Sequence, residues 1–185
     1  PAIIYKRDVP DWHLVWGRVG SVMLEPRARE VLYMVINNLF PTQDRLYRIN
    51  MNKRADERRV KTGVCQRCKQ GVVEDCQHLF TECDMVREGW GWMRARILIL
   101  LPECQGYSNW EILHLLFPND GRVENEMVWL LGQWVQLVYQ EMVIRGRVME
   151  DKFVRGHMRY KYYESLRMKM PQLNHINDVT VFDPG

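Results

Sequence analysis

The feature that most constrains the fold of this chain is a group of cysteine and histidine residues between positions 65 and 83. Four of these residues form the pattern Cys-x2-Cys-x9-His-x4-Cys (CCHC), namely Cys65, Cys68, His78 and Cys83. Three thiolates and one imidazole are ligands that hold a structural Zn²⁺ in tetrahedral geometry. Because protein side chains fill all four positions, the spacing predicts one structural zinc ion rather than a catalytic one.

The second half of this zinc loop leaves one alternative open. Cys76 lies two residues before His78 and could replace it as the fourth ligand, although we favour His78 because Cys-x2-Cys pairs commonly combine with a histidine in zinc sites. Residues five apart in an ideal α-helix point about 140° away from each other, so the helix that carries His78 must end or loosen before Cys83. In the first half, Gly71 stands where a tight turn often needs a positive φ angle.

Length and composition predict a folded chain from a reducing compartment. The 185 residues are 46% hydrophobic, which is enough for a sizeable core. Four of the five cysteines lie in the zinc loop, which argues against a disulfide framework, and no signal peptide or membrane-spanning apolar run is visible. We therefore expect an intracellular protein without membrane association. Because the chain starts at Pro1, we expect either a fragment of a longer polypeptide or a chain whose initiator Met was removed, and we favour the fragment.

Charge is distributed unevenly, although the net charge is only +3. Residues 44–69 contain nine Lys or Arg and three acids, and residues 145–169 contain eight Lys or Arg and three acids. Residues 70–144 between them contain four basic and eleven acidic residues. Two basic segments that flank an acidic one are typical of a protein with a polyanionic partner, although clusters of solvated charge also occur without one.

Apolar residues recur at helical spacing through most of the chain, which predicts an all-α fold: an irregular helical domain built around one zinc loop. We expect an aromatic, irregular N-terminal arm (1–25), in which Gly17 and Gly20 interrupt any helix, a helical zinc-binding domain (26–170) and a C-terminal tail (171–185). The predicted helices run from Pro26 to before Pro41, from Thr42 with Leu46 and Ile49 inward, from Asp84 to Pro102, from Asn109 to Pro118, from Glu124 to about Ile144 as the core helix, and from Met149 to Met170.

Three stretches of sequence resemble a known family. They are PRAREVLYMVINNLFPTQDRLYRI before the metal loop, CQRCKQGVVEDCQHLFTEC within it, and WEILHLLFP with WLLGQWVQLVYQEMVIRGR after it. Together they resemble the zinc-binding region that follows the polymerase in non-LTR (LINE-type) retrotransposon reverse transcriptases, over roughly Trp12 to Arg167. The resemblance implies zinc ligands at the four positions above. It also implies a nuclear module, joined to the rest of the reverse transcriptase, that helps hold template RNA or target DNA during target-primed reverse transcription.

The catalytic motifs of such polypeptides are absent from this sequence or match poorly. No adjacent Asp-Asp pair of the polymerase type occurs. Some relatives carry a downstream endonuclease with a Pro-Asp motif and spaced acids, and Pro118-Asn119-Asp120 with Glu124 and Glu126 departs from that pattern. We therefore expect no enzymatic activity in this chain.

The sequence supports two hypotheses about function. The first is a nucleic-acid-binding module in which cations contact phosphates and some Trp or Tyr rings stack on unpaired bases, although most aromatics fit core spacing. The alternative is a protein-interaction or scaffold module of a retroelement-derived protein. For the first, the candidate RNA- or DNA-binding residues are Arg45, Arg48, Lys53, Arg54, Arg58, Arg59, Lys61, Arg67 and Lys69, with Lys152, Arg155 and Arg159 as a second strip.

Overall fold

The computed structural model describes residues 11–57, 59–117 and 124–168. Over these ranges the chain is helical and contains no β-strand, which confirms the all-α prediction; one isolated antiparallel bridge joins Val64 and Val73. The predicted tail, 171–185, lies outside the described residues, as does Arg58. The α-helices are α1 (Trp12–Ser21), α2 (Pro26–Ile36), α3 (Gln43–Met51), α4 (Arg87–Leu100), α5 (Asn109–Leu113), α6 (Glu124–Leu137) and α7 (Asp151–Arg167).

Helix α6 is the centre of the hydrophobic core, as its sequence predicts. It continues without a break as a π-helix, Val138–Ile144. Helices α1, α2, α4 and α7 pack against α6. The apolar side chains that sequence periodicity assigned to this helix are all at most 1% exposed: Met127, Leu130, Leu131, Trp134, Val135, Leu137, Val138 and Met142. A surface helix would show a polar face, so this all-round burial identifies α6 as the element on which the others assemble.

Two glycines allow backbone and side chains to approach these helices closely. A Cβ atom at Gly132 of α6 would lie 2.7 Å from the Leu24 side chain. A Cβ at Gly89 of α4 would lie 2.7 Å from both the Met149 carbonyl oxygen and the Val154 side chain, and the Gly89 amide donates to that carbonyl at 2.9 Å. At Gly132 the close partner is a side chain of the segment before α2 rather than another helix.

The N-terminal segment differs from the prediction. Residues 12–21 form helix α1 despite Gly17 and Gly20, so the expectation that these glycines interrupt any helix is wrong. The Asp11 carboxylate caps this helix by accepting hydrogen bonds from the backbone amides of His13 and Leu14. Val15 and Val19 are buried on the side of α1 that faces α6. This burial and the cap offset a helix-propensity cost of about 1 kcal/mol per glycine.

Several helix ends and inward faces also differ from the predicted ones. Helix α2 ends at Ile36, so Leu39 is 41% exposed, and Ile49 of α3 is 50% exposed whereas Asn50 is buried. Helix α4 begins at Arg87 instead of at an Asp84 cap, and α5 is capped by Ser108, in a capping box with Glu111, instead of by Asn109. Periodicity located these elements correctly, whereas their ends depend on local hydrogen bonds that it does not report.

Helix α7 packs on α4, and Val154, Met158 and Tyr162 form its buried stripe. Ser165 continues the buried stripe instead of Leu166, which is 37% exposed. No helix within the described ranges combines the length and the apolar character that crossing a membrane requires.

Candidate metal centre and nucleic-acid interface

A tight turn presents the first pair of zinc ligands. The Cys65 amide donates to the Val72 carbonyl and the Glu74 amide to the Gly63 carbonyl, both at 2.9 Å, so the chain doubles back between these residues. Gly71 closes the turn with φ +67°, the left-handed conformation that glycine adopts at low cost. The positive φ predicted for Gly71 is confirmed, and the turn places Cys65 and Cys68 on one side.

A π-helical turn presents the second pair. Residues His78–Glu82 form a π-helix, and the Cys83 amide donates to the His78 carbonyl at 2.7 Å. An i→i+5 hydrogen bond brings residue i+5 back over residue i, which an α-helical turn does not do. In an ideal α-helix, residues five apart would point about 140° away from each other. Here one turn is widened and the helix does not end, so His78 and Cys83 face the same point.

The four predicted ligands converge in space. Their ligand atoms all lie within 4.8 Å of one another. The Cys65 and Cys83 sulfurs are 3.9 Å apart, and the Cys68 sulfur is 3.4 Å from Nε2 of His78. A tetrahedral Zn²⁺ with Zn–S bonds of about 2.3 Å has ligand–ligand edges of about 3.8 Å, so both distances fit opposite edges of such a tetrahedron. These residues are positioned to bind one zinc ion.

Burial disfavours free thiolates at this centre. Cys65 and Cys83 are at most 3% exposed. Burial raises the pKa of the Cys65 thiol to about 12 and also raises the pKa of Cys83. Thiolates are the form that binds metal, and a soft divalent cation stabilises them where water does not reach. The donor set of three sulfurs and one nitrogen favours Zn²⁺, and it leaves no open coordination position for a substrate.

Cys76 is not part of this cluster. It lies in a groove of about 410 Å³ that is also lined by Thr42, Arg45 and Arg48 of the α3 region. Burial raises the pKa of its thiol to about 12. The alternative in which Cys76 replaces His78 is therefore not the arrangement that the structure shows, and Cys76 packs as a buried thiol against α3.

The π-turn is fixed to the hydrophobic core through Phe80. The Phe80 carbonyl, which the π-helix leaves available, accepts a hydrogen bond of 2.9 Å from the indole nitrogen of Trp134 in α6. The Phe80 ring meets Phe40 edge to face, with centroids 5.0 Å apart. The core thus holds the backbone of the turn in the register that aims His78 and Cys83 at the metal.

Glu74 joins the zinc loop to helix α3, and sequence reasoning missed it. Its carboxylate, 1% exposed, accepts from the Gln43 amide at 3.0 Å and from Arg67 at 2.6 Å. The backbone carbonyl of Glu74 also accepts from the Asp44 amide at 3.2 Å. A carboxylate at a helix N-terminus satisfies amides that have no partner inside the helix. The only sequence signal was an acid between the two pairs of metal ligands.

The candidate phosphate-binding cations fall into two groups. Within the described ranges, four of them are exposed and form no ion pair with another described residue: Arg54, Arg59, Lys61 and Lys69. Lys53 is exposed beside them, and Arg58 lies outside the described residues. These cations border the zinc turn before and after the first cysteine pair. On the second strip, Lys152 and Arg159 are exposed.

The remaining candidates have partners within the protein. Arg67 pairs with Glu74, Arg48 pairs with Asp44 at 2.9 Å, and Arg155 pairs with Asp151 at 3.2 Å. Arg45 donates to the Asn38 carbonyl at 3.0 Å. Charge counts along the sequence did not separate these structural cations from the unpaired ones.

The residues of the weak nuclease motif do not form a described metal site. Pro118, Asn119 and Asp120 lie outside the described residues, and Glu126 is buried. Across the described ranges, the zinc cluster is the only group of three or more His, Cys, Asp or Glu side chains arranged to hold a metal ion.

Comparison with known proteins supports the same centre. Residues 4–90 match the model of a family described as zinc-binding in reverse transcriptase, and all four ligands fall within the match. The match covers a little less than half of the chain and ends within α4. No curated protein and no solved structure matches the chain. This part of the chain is therefore similar to the accessory zinc-binding modules of reverse transcriptases, which are not catalytic domains.

Proposed function

We propose that this chain is a non-catalytic nucleic-acid-binding module of a LINE-type reverse transcriptase. In this proposal it helps the parent polypeptide to engage template RNA or target DNA during target-primed reverse transcription in the nucleus. The zinc ion has a structural role in the proposal, because four protein ligands surround it and leave it no substrate position.

One observation carries the proposal: unpaired cations flank the metal turn along the chain. Arg54, Arg59, Lys61 and Lys69 are exposed, and none of them is neutralised by an acid among the described residues. A cation that is already ion-paired gains little from a phosphate, whereas an unpaired one releases counterions from the nucleic acid when it binds. The metal orders the chain next to these residues, which lowers the entropy cost of binding.

The assignment to LINE-type elements rests on a resemblance of sequence. The motifs that carry it extend past residue 90 into α5 and α6, beyond the match to the reverse-transcriptase family. The Trp134 contact to Phe80 supports reading these later helices and the zinc loop as one module, because the core of the later helices holds the metal turn.

The proposal is tested by the salt dependence of single-stranded RNA binding. A triple variant, Arg54→Ala with Arg59→Ala and Lys61→Ala, removes three unpaired cations. The slope of log affinity against log salt should become shallower by about 2, since each lost phosphate contact on a single strand contributes about 0.7. The loss should be similar for all RNA sequences, because phosphate contacts carry no base information.

A matched control removes three ion-paired cations, through Arg27→Ala, Arg87→Ala and Arg145→Ala. This variant has the same net charge as the first and should keep a salt slope close to that of the wild type. Equal losses in both variants would show that only net charge matters, and unchanged binding in both would favour the protein-interaction alternative. Either result would contradict the proposal.

A further inference from the structure

The outer face of helix α7 carries an open groove that the proposed function does not yet use. Its volume is about 500 Å³, and its lining is Glu150, Lys152, Phe153, Gly156, His157 and Tyr160. The opposite face of α7 is the buried stripe that packs on α4, so this groove looks outward, away from the hydrophobic core. It lies within the second basic segment.

Gly156 forms the open floor of the groove. A Cβ atom at this position would meet no other atom within 4 Å. The φ angle of Gly156 is not positive, so neither the backbone nor a close neighbour requires glycine there. A glycine in the middle of a 17-residue helix costs about 1 kcal/mol relative to alanine. The physical effect of this residue is an unfilled space between the neighbouring rings.

Aromatic rings border that space along one face of the helix. Phe153 and His157 lie one turn apart, with ring centroids separated by 6.4 Å, and the Tyr160 side chain follows and is 60% exposed. Phe153 and His157 are half-buried, and burial together with the nearby Lys161 cation lowers the pKa of His157. The exposed Tyr160 ring beside the open floor is suited to stacking against another flat group.

Positive charge lies next to the rings. The Arg147 guanidinium lies 4.8 Å from the Phe153 ring centroid and the Lys161 amine 5.9 Å from that of Tyr160, but Arg147 pairs with Glu141 and Lys161 pairs with Glu25 and Glu164. Lys152, which lines the groove together with Glu150, is exposed and forms no ion pair with another described residue. Residues 145–168 contain seven Lys or Arg and three acids, a net charge of +4. Lys152 therefore offers an unpaired positive charge to a ligand that carries an anionic group next to a flat one.

We propose that this groove binds an unpaired base of a single-stranded nucleic acid, stacked beside Tyr160 and over Gly156, while Lys152 contacts the adjacent phosphate. The inference deepens the proposed function and rests on it. Pairing with the same groove of a second copy is disfavoured, because the like-charged segments 145–168 would face each other. A neutral apolar peptide would leave the Lys152 cation unused.

The experiment measures the affinity of the full chain for a short oligothymidylate and for an abasic strand of equal length. Tyr160→Ala should weaken binding of oligothymidylate by about 10-fold, because base–aromatic stacking is lost, and should leave the abasic strand unaffected. Tyr160→Phe retains the ring and should bind both strands like the wild type. Gly156→Leu fills the floor and should also weaken only the base-bearing strand.

Gly17→Leu is the matched control for Gly156→Leu. Gly17 also lies inside a helix, and a Cβ there would meet no atom within 4 Å, but it lies on α1 away from the groove. This variant should bind both strands normally. Far-UV circular dichroism and thermal unfolding of each variant establish that the fold is retained.

The outcomes separate this inference from the proposed function. If the wild type binds oligothymidylate but Tyr160→Ala and Gly156→Leu bind it equally well, the groove is not a base site and only the inference is overturned. A loss that is equal on the abasic strand would overturn it too, since stacking would not be involved. If the wild type binds neither strand, the proposed function itself fails.

Discussion

The zinc loop and the helical body around α6 are held together by different forces. In the body, Trp129 and Trp134 are at most 1% exposed, and stability comes from the burial of large apolar side chains. In the zinc loop, the buried groups include Glu74 and His78, and the regular backbone amounts to one isolated bridge and one π-turn. Large apolar side chains are buried in the loop only at Leu79 and Phe80 of the π-turn, so the turn that carries Cys65 and Cys68 needs another source of free energy, which metal coordination would supply.

This difference separates what each region does for function. The hydrogen bond from Trp134 to Phe80 fixes the π-turn to the body. We expect the body to fold through its own core, and we expect the backbone that carries the unpaired cations to be ordered by the bound metal. Metal loss should therefore affect the proposed nucleic-acid binding before it affects the core.

The largest expected effect is that of removing the metal. Zinc binding to finger peptides contributes about 10–16 kcal/mol, so chelation or Cys68→Ser should disorder the loop. Most of the helical circular dichroism should remain, because the body folds through its own core. Metal analysis and hydrogen exchange of residues 59–86 provide the measurement. Cys76→Ser and Cys104→Ser are controls that should keep one zinc ion per chain.

Two results would contradict this account of the zinc loop and the helical body. Full zinc content in Cys68→Ser would contradict the ligand assignment. Loss of all helical signal on chelation would show that the loop and the body fold as one unit rather than as two regions with separate sources of stability.

A smaller effect is expected when the body is perturbed. Trp134→Ala removes a fully buried indole and should lower the free energy of unfolding by about 3–5 kcal/mol, measured by urea unfolding. Trp134→Phe keeps most of the apolar volume but leaves the Phe80 carbonyl unpaired, at a cost of about 1–3 kcal/mol. Both variants should keep one zinc ion per chain. Release of zinc from the folded Phe variant would show that this hydrogen bond is necessary for metal binding.

Breaking the link between the zinc loop and α3 should have a smaller effect than removing the metal or truncating Trp134. Glu74→Ala removes the acceptor of the Gln43 amide and the partner of Arg67, which should cost about 1–3 kcal/mol. The loss should appear as faster hydrogen exchange in α3 and as weaker zinc binding in competition with a chelator. Glu57→Ala removes an exposed acid from the basic segment 44–69 and should change neither the hydrogen exchange of α3 nor zinc binding.

The smallest effect is expected at the N-cap of α3. The Thr42 hydroxyl accepts a hydrogen bond from the Arg45 amide at 3.3 Å, and Thr42→Ala should lower stability by about 1 kcal/mol in thermal unfolding. Thr42→Ser keeps the acceptor and should be close to wild type. A loss in the serine variant as large as in the alanine variant would show that packing of the buried methyl group, not capping, is what matters.

Much of the candidate site could be predicted because it depends on local spacing. Cys65 and Cys68 need only a tight turn, and Gly71 was predicted to supply it. His78 was preferred over Cys76 because Cys-x2-Cys pairs commonly combine with a histidine in zinc sites. The π-turn explains how His78 and Cys83, five residues apart, can bind the same metal ion. The π-turn itself could not be predicted, because the Trp134 indole that bonds its Phe80 carbonyl lies 54 residues further along the chain.

The sequence by itself determined the all-α class, the central position of α6 and the zinc ligands, since these follow from periodicity and from ligand chemistry that act over a few residues. Only the tertiary structure decided that residues 12–21 are helical, that Arg67 is neutralised by Glu74, and that Tyr160 is exposed beside the open floor at Gly156. Each of these depends on which groups meet in the folded chain and which stay uncovered there. Such contacts change the free energy of a residue without leaving a pattern in its neighbours along the chain.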